Sequence, residues 1–376
     1  MKRILTMTML TLAVCIALPV EAQWKRTPTP NDTLQSVRRL DDGSVVFSIY
    51  APKARTVSLG GDGDLIPWQG DNMPVVEEQP NGVWTITVKN AKDGIYRYHF
   101  LVDGIKVFDP KNELAGETSA IVKLQSQDNA FFSMRDVPHG ALSQRWYWSK
   151  NLNTWRRMHV WTPAGYENSR EKLPVLYLIH GGGDTDNAWP GVGCANLILD
   201  NLLAEGKMKP MVVVMPNGTL PVAQVHEEII PFAEDMLTNI IPFVEQNYRV
   251  LKDKDHRAVA GLSMGGMETL EVVVKHPELF SYAWVLSSGL CPGKEAAEAQ
   301  RLDLVGQAPK LNKSLKKFIF TQGGESDIAY YNYKDHTRPE FEKAGICFEY
   351  EENAQAGHSW TTWRADLYNL AQRLFK

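Results

Sequence analysis

An apolar run, Ala258-Val259-Ala260, leads into Gly261-Leu262-Ser263-Met264-Gly265-Gly266, and Met264 to Lys275 has helix-forming composition. Strand, sharp turn and helix in that order, with a serine at the apex, is the context that gives a G-x-S-x-G match meaning. A Cβ at Gly261 or Gly265 would crowd the neighbouring strand or helix in so tight a turn. Ser263 is then held with its hydroxyl exposed, and the helix N-terminus behind it favours developing negative charge. The motif alone arises by accident in roughly one chain in ten of this length. Its meaning depends on what the rest of the chain supplies.

The surrounding pattern places this turn in an α/β domain. Strand candidates run over Arg157 to Thr162, Val175 to Ile179, Met211 to Met215, Arg257 to Ala260, Tyr282 to Ser287, Phe318 to Thr321 and Cys347 to Tyr350. Helical patterns lie between them, the clearest with Phe232, Met236, Leu237, Ile240, Ile241 and Val244 on one face. Short apolar strands alternating with amphipathic helices predict a mostly parallel, doubly wound α/β sheet over 146–376. Ser263 follows a mid-domain strand, where open α/β sheets carry their active sites. Ahead of it, Val45, Phe47 and Ile49, then Trp84, Ile86 and Val88, then Tyr96, Tyr98, Phe100 and Val102 alternate with polar or smaller residues. Asn81-Gly82 and Asp103-Gly104 supply turns. This predicts a smaller all-β sandwich over 35–125, joined by a linker over 126–145, with Trp146-Tyr147-Trp148-Ser149 opening the second domain. The alternating aromatics are expected in the sandwich core rather than on a sugar-stacking surface.

Bulk properties narrow the function classes. With 376 residues, 44% apolar, 22% charged and a net charge of −4, the chain has ordinary globular composition and no basic surface for nucleic acid. Lys2-Arg3, the apolar Ile4 to Val20 and Glu21-Ala22-Gln23 read as an export signal cut after Ala22, followed by a flexible lead-in over 23–34. A lipid-bearing Cys15 fits poorly, because Val14 stands where a small residue belongs. The expected mature protein is secreted or periplasmic, with no membrane span. Cys194, Cys291 and Cys347 then remain, an odd number without metal-ligand spacing, expected as buried small hydrophobes. No metal or cofactor is implied.

A serine hydroxyl needs a base, and the base an orienting carboxylate. In α/β-hydrolases the chain order is Ser, acid, His. Among the histidines beyond Ser263, His276 closes the helix behind the turn and His336 opens a helical pattern, whereas His358 sits in the loop Gln355-Ala356-Gly357-His358-Ser359-Trp360 after the last strand. His358 is the expected base. The acid belongs in Gln322-Gly323-Gly324-Glu325-Ser326-Asp327, where Asp327 is preferred and Glu325 is the alternative. The oxyanion donors are expected to be the Met264 N–H and a glycine N–H in His180-Gly181-Gly182-Gly183, with Gly182 preferred and Gly181 next. His180 itself is expected to buttress its loop. Trp189 and Asn217 lie on loops beside the site as candidate substrate contacts.

Several stretches carry a family resemblance: Arg156-Arg157 with Val160, Thr162-Pro163 and Gly165-Tyr166; Leu178 to Gly183; Met215-Pro216-Asn217-Gly218; Ile241-Pro242-Phe243-Val244-Glu245; Gly261 to Gly266; and Gly357-His358-Ser359-Trp360 with Trp363-Arg364. Together these resemble the esterase D-like, feruloyl/acetylxylan esterases of carbohydrate esterase family 1. The β-module, with Tyr50-Ala51-Pro52 and Gly94-Ile95-Tyr96-Arg97-Tyr98, resembles the immunoglobulin-like, glycogen-binding-type modules often found before such enzymes. The resemblance implies Ser263 as nucleophile, Asp327 as acid and His358 as base. It also implies an exported enzyme that removes feruloyl or acetyl groups from plant cell-wall xylan. Leu220 to His226 departs from the pattern where the acyl pocket is shaped, so the acyl group stays open.

Other readings share parts of this pattern. A siderophore (enterochelin-type) esterase would want basic and aromatic residues around the cleft. A cytosolic thioester hydrolase conflicts with the export signal. A non-catalytic glycan-binding protein conflicts with the complete Ser, Asp and His set.

Overall fold

The computed structural model describes residues 26–67, 73–114, 116–124, 131–222, 226–293, 300–353 and 357–376. The expected export signal lies outside them.

Alternation of apolar and polar residues builds the first part into two facing sheets. One has the order β1-β2-β5-β4, from β1 (Val37–Arg39), β2 (Val45–Tyr50), β4 (Val75–Glu78) and β5 (Val83–Val88). In the other, β6 (Gly94–Val102) lies between β3 (Val57–Gly61) and β7 (Ile105–Val107), with β8 (Ala120–Leu124) also pairing β6. Phe47, Ile86, Tyr98 and Phe100 close the core between the sheets. The period-two aromatics are therefore packed inside. On β6 the even-numbered residues Tyr96, Tyr98 and Phe100 fill that core, and the odd face carries Ile95 and Arg97 toward the rest of the protein.

The second part is an eight-stranded sheet in the order β16-β15-β14-β13-β11-β12-β10-β9. Its strands are β9 (Ala141–Ser149), β10 (Thr154–Thr162), β11 (Val175–Ile179), β12 (Val212–Pro216), β13 (Arg257–Leu262), β14 (Tyr282–Leu286), β15 (Lys317–Gln322) and β16 (Glu349–Glu352). From β11 to β16 neighbours run parallel, and β10 and β9 are antiparallel at one edge. Among the described residues the longer α-helices are α1 (Ala195–Ala204), α2 (His226–Asp235), α3 (Ile241–Asn247), α4 (Met264–Lys275), α5 (Leu304–Ser314), α6 (Arg338–Lys343) and α7 (Trp360–Ala371). Two cores flank the sheet, one under α2, α3 and α4 and one under α1 and α7. Phe232, Met236, Ile240 and Val244 form a stripe in the first, running through a π-helical turn at Met236–Ile240 that joins α2 to α3.

Three expectations are corrected. Residues 141–145, expected as linker, are the first half of β9. Leu142, Gln144, Trp146 and Trp148 on this edge strand face solvent, so the usual apolar-inward signal is inverted. The last strand begins at Glu349 rather than Cys347, and Cys347 is exposed, unlike the buried Cys194 and Cys291.

Candidate active site

The turn after β13 is built by close approach. A Cβ on Gly261 would lie 1.9 Å from the Gly265 carbonyl oxygen, and one on Gly265 would lie 2.4 Å from the His180 oxygen. Only glycine lets α4 start this close to β13 and to the loop after β11. Ser263 at the apex has φ 51° and ψ −118°, a backbone conformation that costs on the order of 1–3 kcal/mol and persists only where surroundings hold it. Its N–H donates to Leu286 O at 2.8 Å, and Ser288 Oγ donates to its carbonyl oxygen at 2.6 Å. The hydroxyl is left partly exposed above the N-terminus of α4.

His358, on the loop before α7, sits 3.1 Å from Ser263 Oγ through Nε2 and 2.7 Å from Asp327 Oδ1 through Nδ1. A carboxylate only accepts, so Nδ1 carries the proton and Nε2 offers its lone pair to the serine. The imidazole packs edge-on against Trp363, with centroids 5.0 Å apart. Asp327 is fixed by the Gly323 and Ala329 N–H groups at 3.0 and 2.9 Å. Burial opposes its ionisation, yet the hydrogen bonds from His358, Ser287 and Ala329 outweigh that and hold its carboxyl below the usual carboxylate range. Ser287 Oγ also accepts from Trp363 Nε1 at 3.0 Å. Glu325, the alternative acid, is exposed.

The glycine loop after β11 lies alongside. A Cβ on Gly181 would be 3.2 Å from Ser263 Cβ, so Gly181 packs on the serine while Gly182 beside it is exposed. Met264, first in α4, has an N–H with no carbonyl partner within the helix. His180 buttresses the loop: Nε2 accepts from Gly218 N–H at 2.9 Å, and Nδ1 faces Gly181 O at 2.8 Å. Both nitrogens are engaged, and burial pushes its pKa down, so it is a neutral strut rather than a second base.

Of the two candidate substrate contacts, Trp189 is corrected. Trp189 is 1% exposed, donates Nε1–H to Ile179 O at 3.1 Å and stacks edge-on with Trp360. It is core beneath the loop, because an indole inside an apolar layer must pair its N–H. Asn217 is tied to its own turn, with Oδ1 accepting from Thr219 N–H at 3.2 Å and its backbone oxygen accepting from Arg156.

Residues from the β-module brace the same loop, which local sequence reading missed. Arg97 on β6 pairs with buried Asp184 and, at 3.0 Å, with Asp62. Glu117 accepts from Thr185 Oγ1 at 3.0 Å and from Arg157 at 2.5 Å, and Arg157 binds Asp186 at 2.7 Å. Arg364 on α7, 1% exposed, donates Nη1–H to Ile95 O of β6 and to Val192 O at 3.1 and 2.8 Å. One signal was present: Trp360, Trp363, Arg364, Leu367, Leu370 and Ala371 are all buried on α7, placing an arginine on the apolar stripe. Among the described residues no group of three or more His, Cys, Asp or Glu side chains could hold a metal ion.

Residues 149–374 match the family described as "Putative esterase". This chain belongs to that esterase family. Residues 34–115 match carbohydrate-binding module 48, the isoamylase N-terminal domain. The esterase is 31% identical over 354 residues to an endo-1,4-beta-xylanase/feruloyl esterase of Xylanibacter ruminicola, covering 89% of this chain and 45% of that one. It is 29% identical to endo-1,4-beta-xylanase Y of Acetivibrio thermocellus, over 55% of this chain and 20% of that one. The chain thus spans less than half the length of these relatives. A solved ferulic acid esterase aligns over 63% of this chain and 99% of its own at 25% identity and TM-score 0.54. The enterobactin esterase of Shigella flexneri aligns over 89% of this chain and 94% of its own at TM-score 0.60 and 16% identity, a likeness of fold. The esterase domain with a β-module ahead of it agrees with the resemblance drawn from the motifs.

Proposed function

We propose that the protein is an exported serine carboxylesterase that removes feruloyl or acetyl groups from xylan-type polysaccharides. The observation that carries the chemistry is the imidazole of His358, bonded on one side to buried Asp327 and on the other to Ser263 at the apex of a strained turn. His358 Nε2 takes the Ser263 proton as Oγ attacks the ester carbonyl, and the N–H groups of Met264 and Gly182 receive the oxyanion. Collapse expels the sugar oxygen, which takes the proton from His358 and leaves Ser263 acylated. Water, deprotonated by His358, then releases the acid and restores the serine. Asp327 stays ionised throughout and holds the imidazole in the Nδ1–H tautomer. Glu268 of α4, fully buried beside Gly218, is pushed well up in pKa by burial and by the Glu228 charge.

The polysaccharide is supported by the named activities of the relatives and by the module ahead of the esterase domain. Export is supported by the charged, apolar and small-residue order of the first 22 residues. The test is ferulate and acetate release from arabinoxylan by the purified chain and by Ser263→Ala. Turnover by the parent and none by the variant is expected; full activity in Ser263→Ala would refute the mechanism.

A further inference from the structure

The edge strand β9 and its neighbour β10 present three tryptophans to solvent: Trp146, Trp148 and Trp155 are 55%, 43% and 61% exposed. They share one face. Trp155 pairs in register with Trp148, the rings edge-on at 5.6 Å, and Arg157 pairs with Trp146, its guanidinium 5.8 Å over the ring. The opposite face of β9 buries Tyr147 and Ser149, so folding does not require the indoles on the outer side.

Register places this face beside the reaction. Arg157 accepts through its carbonyl from Asn217 N–H, and Met158 pairs with Pro216 at the carboxyl end of β12. Trp155 and Trp148 therefore lie at the same end of the sheet as Ser263. β9 is four strands from β13 in the sheet order; at ~4.8 Å per strand the platform is about 19 Å from the serine.

We propose that Trp146, Trp148 and Trp155 form a non-catalytic stacking surface for the main chain of the polysaccharide that carries the scissile ester. Pyranose rings have apolar C–H faces and hydroxyl rims. The indoles offer matching flat faces, with Arg157, Gln144 and Glu117 as hydrogen-bonding groups at their margin. A second protein copy fits less well. At the upper value of ~250 Å² per aromatic side chain, the exposed part amounts to about 400 Å², half the ~800 Å² per partner of a stable dimer. A patch of this size suits a ligand of a few rings. The identity of the sugar rests on the proposed substrate; the surface itself does not.

Affinity electrophoresis of the full chain in gels containing soluble arabinoxylan tests this, comparing the parent with Trp146→Ala/Trp148→Ala/Trp155→Ala. The parent is expected to be retarded and the triple variant to lose at least about tenfold in affinity, with 4-nitrophenyl acetate turnover unchanged. The kcat/KM for feruloylated polymer should fall with affinity, while that for methyl ferulate holds. Equal retardation of the two proteins, or none of the parent, would overturn the proposal and leave the esterase reading standing. A parent that sediments as a dimer split by the triple substitution would assign the face to a second copy instead.

Discussion

Replacing Arg97 by methionine is expected to damage catalysis from a module that never touches the serine. Arg97 stands on the outer face of β6 and pairs with Asp184, three residues beyond Gly181. Burial already pushes the Asp184 carboxyl up in pKa, with the Arg97 charge opposing. Removing one partner of a buried ion pair costs about 3–5 kcal/mol, because the other is left uncompensated. Arg97 retains partial access to solvent, so about 2–3 kcal/mol is the fitting range. Asp184 can escape part of this by taking a proton. The deficit should therefore be smaller at pH 5 than at pH 8, since losing the opposing Arg97 charge moves the carboxyl further up and eases its protonation as pH falls.

The catalytic effect follows from geometry. Loss of one oxyanion donor costs on the order of 10²–10³ in kcat. A loop that is loosened rather than deleted should lose roughly tenfold, in kcat more than in KM, because the donors act on the transition state. Asp184→Asn placed on top of Arg97→Met removes the stranded charge, and should recover melting temperature more than kcat. Thermal melts at both pH values and initial rates on methyl ferulate measure all of this. If Arg97→Met keeps the parent kcat and the parent melting temperature at pH 8, the brace is not real.

Asp327→Asn is expected to lower kcat by about 10⁴ while the fold survives, since the amide no longer selects the Nδ1–H tautomer of His358; steady-state rates and a melt on the same preparation check it. Burial pushes Asp366 on α7 up to about 7, the Thr321 hydroxyl opposing and the Glu351 and Asp327 charges adding to it. The folded state thus holds a proton that the unfolded chain releases near pH 4, so stability falls as pH rises from about 4 to 7, by at most about 4 kcal/mol. Asp366→Asn should flatten that slope and raise the melting temperature at pH 8 more than at pH 5.

Much of the site was legible because its parts are local. Each of Ser263, Asp327 and His358 follows a strand in a short loop marked by glycine, and strand order alone brings such loops to one edge of the sheet. The choice between Asp327 and Glu325 was a matter of register. Asp327 reaches back to the Gly323 N–H and is buried, whereas two residues earlier the side chain points to water. What escaped detection is long-range or inverted. Trp189 sits in a loop by sequence, yet its neighbour Trp360 is supplied from the far end of the chain. β9 carries its large apolar residues outward, so periodicity assigned half of it to a linker.

The contacts of β6 change what the N-terminal sandwich is for. Ile95 is buried in the same apolar cluster as Leu178, Trp189, Ile198 and Leu367, residues of the esterase core rather than of its own sandwich. Arg364 is charged and buried, and one of its two carbonyl acceptors is Ile95 O. Taking the sandwich away would expose an apolar side chain and leave a buried guanidinium short of a partner, at about 1–3 kcal/mol for the lost hydrogen bond alone. Arg364 lies on the helix that follows His358, and its other acceptor, Val192, lies on the segment that follows the glycine loop. One strand of the sandwich therefore ties together the two segments that carry the proposed base and the proposed oxyanion donor beside Ser263. A module joined only by a tether could raise local substrate concentration; one built into the core in this way also sets the geometry of the reaction.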